Sequence, residues 1–195
     1  MVKKKFIIDS LKESSETKIK MQSACFDEIL SAVDMICSAY KKEKKLLLCG
    51  NGGSAADSQH IATELMIRLS HHINRPALPA IALTTDSSNL TAGGNDIGFE
   101  NIFARNVEGL GNEGDVLIAI STSGNSPNIL NAVDMAKLKN IKTIGFLGGS
   151  GGKLKSKVDL PIIIPSNNTQ RIQEGHITTA HIICELVEDE LYGNS

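Results

Sequence analysis

The chain has 195 residues, of which 41% are hydrophobic and 22% charged, a composition typical of one soluble globular domain. Its formal charge of −2 argues against a nucleic-acid-binding protein, because such domains usually carry a basic excess. No apolar run approaches the roughly 20 residues of a membrane-spanning helix, and the N-terminal apolar stretch is too short for a signal peptide. The four cysteines have no paired spacing, so we expect reduced, buried thiols in a cytoplasmic protein.

Two helices are predicted first, over residues 3–22 and 24–44, because apolar side chains recur there every three or four residues. Five short apolar runs follow, each typical of a buried parallel strand. Segments of helical length separate them, and a last helix is predicted from Gln170 to Leu191. This alternation predicts an α/β fold, a doubly wound three-layer sandwich with a five-stranded parallel sheet, in a single domain over residues 1–195. The predicted strands are Leu46–Cys49, Pro79–Leu83, Val116–Ile120, Ile141–Leu147 and Leu160–Ile164.

A glycine-rich segment, residues 50–54 (GNGGS), follows the first predicted strand and leads into a helix; we term it the glycine loop. Glycines let backbone N–H groups approach an anion or a sugar closely, and a helix N-terminus adds partial positive charge. The segment is not a P-loop, since the lysine is absent, and its glycine spacing differs from the dinucleotide fingerprint. A purely structural turn explains the segment equally well.

A second polar segment, residues 121–127 (STSGNSP), follows the third predicted strand; we term it the serine loop. Hydroxyl groups around a helix N-terminus can hold a phosphate monoester without lysine or arginine. The alternative is a simple helix start, with Ser126 as the N-cap and Pro127 in the first turn. That alternative leaves the other hydroxyls unexplained, so phosphate binding is favoured. The hydroxyl side chains belong to Ser121, Thr122, Ser123 and Ser126.

Polar side chains on two predicted helices could converge on a metal ion. His60 and Glu64 are four residues apart and share one helix face, although a surface ion pair is the alternative. On the last helix, Gln173 and His181 are about 80° apart around the axis, so both could reach a shared point. Spacing alone also permits His176 as the ligand in place of His181. The alternative for His181 is a buried histidine of the core.

Together these segments resemble the sugar isomerase (SIS) domain family, whose members bind phosphosugars, and within it the phosphoheptose isomerases. The resemblance covers nearly the whole chain. It implies one SIS domain in which residues 1–45 form a helical pair that packs on the domain or on a neighbouring subunit. The matching segments are CGNGGS at 49–54, QH at 59–60, AIAL at 80–83, GNDIGF at 94–99, STSGNS at 121–126 and RIQE at 171–174, together with Glu64.

The resemblance implies an aldose–ketose isomerase that converts sedoheptulose 7-phosphate to D-glycero-D-manno-heptose 7-phosphate through an enediol. This reaction would be the first step toward ADP- or GDP-heptose for lipopolysaccharide or capsule. The family's sites form between subunits of a tetramer, so the implied partners are the phosphosugar and further copies of the chain. Nucleic acid and membrane have no implied role.

The resemblance also implies the residue roles. Glu64 is the carboxylate base, His181 is its acid partner, and Zn²⁺ polarises the carbonyl. A neutral glutamine oxygen donates weakly to a metal, so we expect a zinc site of modest affinity. The implied zinc ligands are His60, Glu64, Gln173 and His181. The implied substrate contacts are Asn51, Gly52, Gly53, Ser54, Glu64, Asn95, Asp96, Ser121, Thr122, Ser123, Ser126 and Gln173.

Two further features concern the GNDIGF segment and the start of the last predicted helix. Asn95 and Asp96 lie in a segment rich in turn-forming residues, so a turn without a ligand is the alternative there. Gln170 departs from the family pattern, because many phosphoheptose isomerases have Asp at that position, and the exchange removes a charge near the proposed site.

The main rival function is a non-catalytic SIS protein similar to the bacterial factor that binds the replication initiator DnaA. That relative lacks the acid at the position of Glu64 and the histidine at the position of His181. A phosphosugar-sensing module is a third possibility and would also lack this pair. The presence of both residues favours an enzyme.

Overall fold

Five apolar segments form the central sheet of the computed structural model, which describes residues 2–193. The strands are β1 (Leu46–Gly50), β2 (Ala80–Ala82), β3 (Val116–Ser121), β4 (Lys142–Gly148) and β5 (Leu160–Ile164). All of them pair in parallel, in the order β2-β1-β3-β4-β5. The predicted five-stranded parallel sheet is therefore confirmed. Only β2, at one edge, is clearly shorter than predicted.

Seven α-helices accompany the sheet within residues 2–193. The predicted helix over 24–44 is wrong at its C-terminal end, because a turn follows Tyr40 and Glu43 adopts a left-handed φ of +57°. The helices are α1 (Val2–Ala24), α2 (Phe26–Tyr40), α3 (Gly53–Met66), α4 (Ser87–Asp96), α5 (Ile102–Leu110), α6 (Pro127–Leu138) and α7 (Thr169–Tyr192).

A hydrophobic core lies on each face of the sheet, because successive side chains of a strand point to opposite faces. Leu46 and Leu48 pack on one face, together with side chains of α2, α3 and α7. Leu47 and Cys49 pack on the other, with side chains of α5 and α6. All four strand residues are fully buried. The layers are therefore helix, sheet and helix, as predicted.

The chain reverses its direction of travel across the sheet between β1 and β3. From β1 it crosses to β2 at one edge, and it then returns to β3 on the other side of β1. In open parallel sheets, ligands bind outside the carboxyl ends of the strands at such a switch point. Here those carboxyl ends lead into the glycine loop and the serine loop. The topology therefore places the two predicted ligand loops side by side.

The two N-terminal helices are buried to different extents. In α2 a stripe that includes Ile29, Val33 and Ile36 is buried against the domain. In α1 only Thr17 and Met21 are buried, while Phe6 and Leu11 are 70% and 68% exposed. The N-terminal half of α1 thus presents apolar side chains that this protomer does not cover.

The four cysteines, Cys25, Cys37, Cys49 and Cys184, are all buried free thiols. Burial raises the pKa of Cys49 to about 12, so this thiol stays protonated at neutral pH. The expected buried, reduced thiols are thus what the structure contains. No helix within residues 2–193 is long and apolar enough to cross a membrane.

Candidate active site

The glycine loop carries the chain from β1 into α3. Gly52 has a left-handed φ of +55° and takes the N-cap position of α3 without a side-chain cap. A Cβ on Gly50 would collide with the backbone of Ser54, which explains why glycine is required there. The uncapped, exposed start of α3 leaves a helix N-terminus available to a ligand.

The serine loop also leads from a strand end into a helix. Ser126 lies at the N-cap of α6 with Pro127 at the helix start, but its hydroxyl makes no capping hydrogen bond. Instead, Ser126 Oγ lies 3.2 Å from Ser121 Oγ. A backbone hydrogen bond holds the loop in place, since the Leu154 N–H donates to the Gly124 carbonyl oxygen over 3.0 Å. Two hydroxyl groups therefore lie side by side at a helix N-terminus, an arrangement that can hold a phosphate.

His60, Glu64 and His181 form a cluster between α3 and α7, which we term the triad. The Nε2 atoms of the two histidines are 3.0 Å apart, and His60 Nε2 is also 3.0 Å from Glu64 Oε1. One potential ligand atom from each residue lies within 4.8 Å of the other two. The His60 side chain is 45% exposed, so the cluster is open to solvent. Two imidazoles and a carboxylate are a donor set that fits a divalent metal ion.

The structure shows which of the two histidines on α7, His176 or His181, lies near the predicted metal site. His176 is buried, and its Nε2 lies 3.0 Å from the Leu147 carbonyl oxygen. Burial lowers the pKa of His176 to about 4, so its ring is neutral at pH 7. His181 is only partly buried and belongs to the triad. His176 is therefore the core histidine, and the core alternative for His181 is wrong.

Gln173 lies in the first turns of α7, beside the glycine loop. Its amide packs so closely on Gly53 that a Cβ there would collide with Gln173 Nε2. No hydrogen bond joins the amide to the triad in the part of the chain that the structure describes. Gln170, three residues earlier, is exposed. Within the protomer, Gln173 thus contacts the sugar-binding loop that the sequence predicts.

Asn95 and Asp96 form the exposed end of α4, where the Asn95 amide donates to the Asp96 carboxylate over 2.7 Å. The pair lies in the last turn of a helix rather than in a loop, because α4 continues to Asp96. The left-handed turn falls two residues later, at Gly98, with a φ of +83°. Both side chains are exposed, and their contact with a ligand stays a prediction.

Two polar residues that lie beside the site were not predicted from the sequence. Asn128, on α6, forms two hydrogen bonds with Asn51 of the glycine loop. Asp57, one turn before His60, has a buried carboxylate oxygen without a hydrogen-bond partner. Burial raises the pKa of Asp57, and the nearby His60 acts against that rise. A carboxylate three residues before a helical histidine is a visible signal for Asp57, whereas Asn128 has no comparable signal.

A buried ion pair joins the end of α3 to α7. Arg75 Nε donates to Glu188 over 2.8 Å, and Arg75 Nη2 donates to the Glu64 carbonyl oxygen over 2.8 Å. Glu188 also accepts hydrogen bonds from the backbone N–H groups of Leu69 and Ser70. Burial acts to raise the pKa of Glu188, but these donors together hold it below its usual value. The pair thus fixes the turn of α3 that carries Glu64 against the helix that carries His181.

The doubly wound sheet, with its polar loops at the switch point, defines an α/β domain of the class that binds ligands at the carboxyl ends of its strands. The SIS domain family model matches residues 11–148, and the chain belongs to this family. Within it, the chain belongs to the phosphoheptose isomerases and is an isomerase. The phosphoheptose isomerase of Clostridium acetobutylicum is 53% identical over 192 residues, which cover 97% of each chain.

Two solved structures agree with this assignment. A phosphoheptose isomerase from Francisella tularensis superposes with a TM-score of 0.93 at 38% identity, covering 97% of this chain and 100% of that one. Phosphoheptose isomerase from Neisseria gonorrhoeae gives 0.89 at 37% identity, with coverages of 95% and 98%. The resemblance seen in the sequence motifs is confirmed over almost the entire chain.

Proposed function

We propose that the chain converts sedoheptulose 7-phosphate to D-glycero-D-manno-heptose 7-phosphate, an early step toward heptose for lipopolysaccharide or capsule. The observation that carries this proposal is the presence of the triad in a fold whose switch point holds both ligand loops. The triad supplies a carboxylate and an imidazole for proton transfer, and the serine loop supplies hydroxyls for a phosphate. The names of the similar isomerases support the same substrate class.

The isomerisation moves a carbon-bound proton from C1 to C2. Glu64 removes the proton from C1 while protonated His181 gives a proton to the C2 carbonyl oxygen, which yields the enediol. His181 then takes the proton of the C1 hydroxyl, and Glu64 returns its proton to C2. The aldose forms with no net gain or loss of protons, and both side chains regain their starting states.

The remaining predicted residues bind the substrate in this proposal. Asn51, Gly52, Gly53 and Ser54 line the sugar together with Gln173, which already contacts Gly53. Asn95 and Asp96 add contacts from the exposed end of α4. The phosphate lies at the start of α6, held by Ser121, Thr122, Ser123 and Ser126.

We assign Zn²⁺ to the triad, with Gln173 as the predicted fourth ligand. When bound, Zn²⁺ supplies a Lewis acid that polarises the substrate carbonyl. His181 Nε2 is the atom that faces His60, so metal binding and proton transfer compete for that nitrogen. Rates measured with and without added Zn²⁺ therefore show which of the two roles His181 plays.

The experiment is an isomerase assay on sedoheptulose 7-phosphate, with and without Zn²⁺, for wild type, Glu64→Gln and His181→Gln. Each substitution removes a proton-transfer group, so we expect kcat to fall by about 10²- to 10⁴-fold. Glu185→Gln and His72→Gln are the matched controls, since both residues are exposed and outside the site. The controls should stay within about twofold of wild type. An inactive wild type, or full activity in both site variants, would contradict the proposal.

The site is proposed to form between subunits of a cytoplasmic homotetramer. Apolar side chains on the N-terminal half of α1 support this assembly, since they lack a cover within the protomer. A groove of about 440 Å³ between α1, α2 and α7 supports it too, because its lining includes Phe26, Leu30 and Ile182. The buried thiols suit a reducing compartment.

A further inference from the structure

Two asparagines, 77 residues apart in the chain, form a closed amide pair. Asn51 Nδ2 donates to Asn128 Oδ1 over 2.9 Å, and Asn128 Nδ2 donates to Asn51 Oδ1 over 2.8 Å. Each amide therefore gives one hydrogen bond and receives one from the same partner. Neither amide can rotate without breaking both bonds, so the pair fixes the orientation of each side chain.

The pair lies across the switch point of the sheet. Asn51 follows the last residue of β1, and Asn128 lies in the first turn of α6, beyond β3. These two strands are neighbours, with Gly50 in register with Ile120. The amide pair thus joins the glycine loop directly to the helix that the serine loop begins. In the proposed function, those are the parts of the site that hold the sugar and the phosphate.

The two asparagines differ in accessibility. Asn128 is only 2% exposed, whereas Asn51 is partly exposed. An amide has two N–H donors and a carbonyl oxygen with two lone pairs, so Asn51 keeps one donor and one lone pair outside the pair. Those groups can meet a sugar hydroxyl, while Asn128 is too buried to do so. Asn128 can therefore influence a substrate only through Asn51 and the two loops.

We propose that Asn128 is a positioning residue, which orients the Asn51 amide toward the sugar and ties the glycine loop to the start of α6. This inference rests on the proposed function, because it takes Asn51 as a substrate contact. Alanine at position 128 would leave the Asn51 amide without its partner. Aspartate at position 128 would keep the size and the acceptor but lose the donor. Both changes should weaken substrate binding more than they slow the chemical step.

The test is a double-mutant cycle on KM and kcat with Asn128→Ala, Asn51→Ala and the combined variant. Loss of two hydrogen bonds that hold a substrate contact should raise KM by about tenfold in each single variant, with kcat within about threefold of wild type. Since Asn128 acts through Asn51, the combined variant should show the same KM as Asn51→Ala alone. Asn128→Asp keeps the acceptor for Asn51 Nδ2, so its KM should lie between those of wild type and Asn128→Ala. Asn131→Ala is the control, because Asn131 lies on the same helix and its amide donates to the Glu100 carbonyl.

A purely structural role predicts a different pattern. It would lower the melting temperature of Asn128→Ala and Asn128→Asp while leaving KM unchanged, and this result would overturn the inference. A combined variant whose KM increase is the product of the two single increases would overturn it as well.

Failure of the inference can be distinguished from failure of the proposed function. A wild type that does not convert sedoheptulose 7-phosphate contradicts the proposed function. In that case, the same double-mutant cycle is repeated with the Kd for this sugar phosphate, measured by calorimetry, as the readout. Equal Kd values for Asn51→Ala and the combined variant would still support the inference. A wild type that neither converts nor binds the sugar phosphate would overturn both.

Discussion

His176 and His181 show how two histidines on one helix come to serve different purposes. The ring of His176 packs beside Phe146 in the core, at a centroid distance of 5.9 Å. The ring of His181 lies 5.0 Å from that of His60, in the open triad. Their five-residue spacing turns them to different sides of α7, so one histidine packs in the core and the other lies in the triad.

The buried His176 predicts a specific pH dependence of stability. Its pKa is about 4 in the folded protein and near 6.5 when exposed, so the unfolded chain binds more protons between these values. Stability is therefore full above pH 6.5 and is lost as the pH falls toward 4. Between pH 7 and pH 5 this group should lower the free energy of unfolding by about 2 kcal/mol.

Urea titrations of wild type and His176→Gln at both pH values measure this effect. The glutamine is neutral throughout and can still donate to the Leu147 carbonyl, so the variant should lose about 2 kcal/mol less than wild type. His72→Gln, at an exposed position, should keep the wild-type dependence. Equal pH dependence in wild type and His176→Gln would show that His176 does not titrate as described.

The positions of residues that belong to a local sequence pattern could be predicted from the sequence. The hydroxyls of the serine loop follow a strand end, and His60 and Glu64 lie four residues apart on one face of α3. Asn128 could not be predicted, since its partner Asn51 comes close only through the pairing of β1 with β3. Contacts between distant loops leave no periodic signal in the chain.

The helices α3 and α7 form the frame of the triad, and the ion pair between Arg75 and Glu188 holds them together. The Glu188 side chain is only 1% exposed, and the Arg75 side chain is fully buried. Arg75→Met would leave a buried carboxylate without its cation. We expect a loss of about 3–5 kcal/mol in the free energy of unfolding, a value typical of a broken buried pair.

Denaturant unfolding at pH 7 checks this expectation. The matched control is Arg105→Met, since Arg105 pairs with Glu108 on the surface and its side chain is 66% exposed. Surface pairs contribute about 0–1 kcal/mol, so the control should remain close to wild type. Similar losses in the two variants would show that the buried pair does not hold the frame.

The central strands β1 and β3 were predictable because their apolar runs are buried on both faces, as in Val116–Ser121. The helix α4 was not predicted as such. None of its residues is buried, and it contains Gly93 and Gly94, so it has neither an apolar stripe nor a favourable helix composition. Its N-cap carboxylate, Asp86, accepts a hydrogen bond from Asn89 N–H and helps to start the helix.

The exposed apolar half of α1 predicts an assembly of several chains. A homotetramer should have about four times the 20.9 kDa mass of one chain in light scattering. Phe6→Glu and Leu11→Glu place charges on the exposed apolar side chains, so both should shift the protein to smaller species. Lys12→Ala, on the same helix, should keep the wild-type mass. A monomeric wild type would contradict the predicted assembly.

In the proposed reaction, Glu64 moves a proton between two carbons of a heptose phosphate through an enediol. The most direct measurement is conversion of sedoheptulose 7-phosphate in D₂O, followed by NMR at C2 of the product. The triad is open to solvent, so a proton held by Glu64 should exchange, and the aldose should carry deuterium at C2. Glu64→Gln should form product and deuterated substrate at least about 10²-fold more slowly than wild type. No product from wild type, or deuterated product from Glu64→Gln at the wild-type rate, would contradict this role of Glu64.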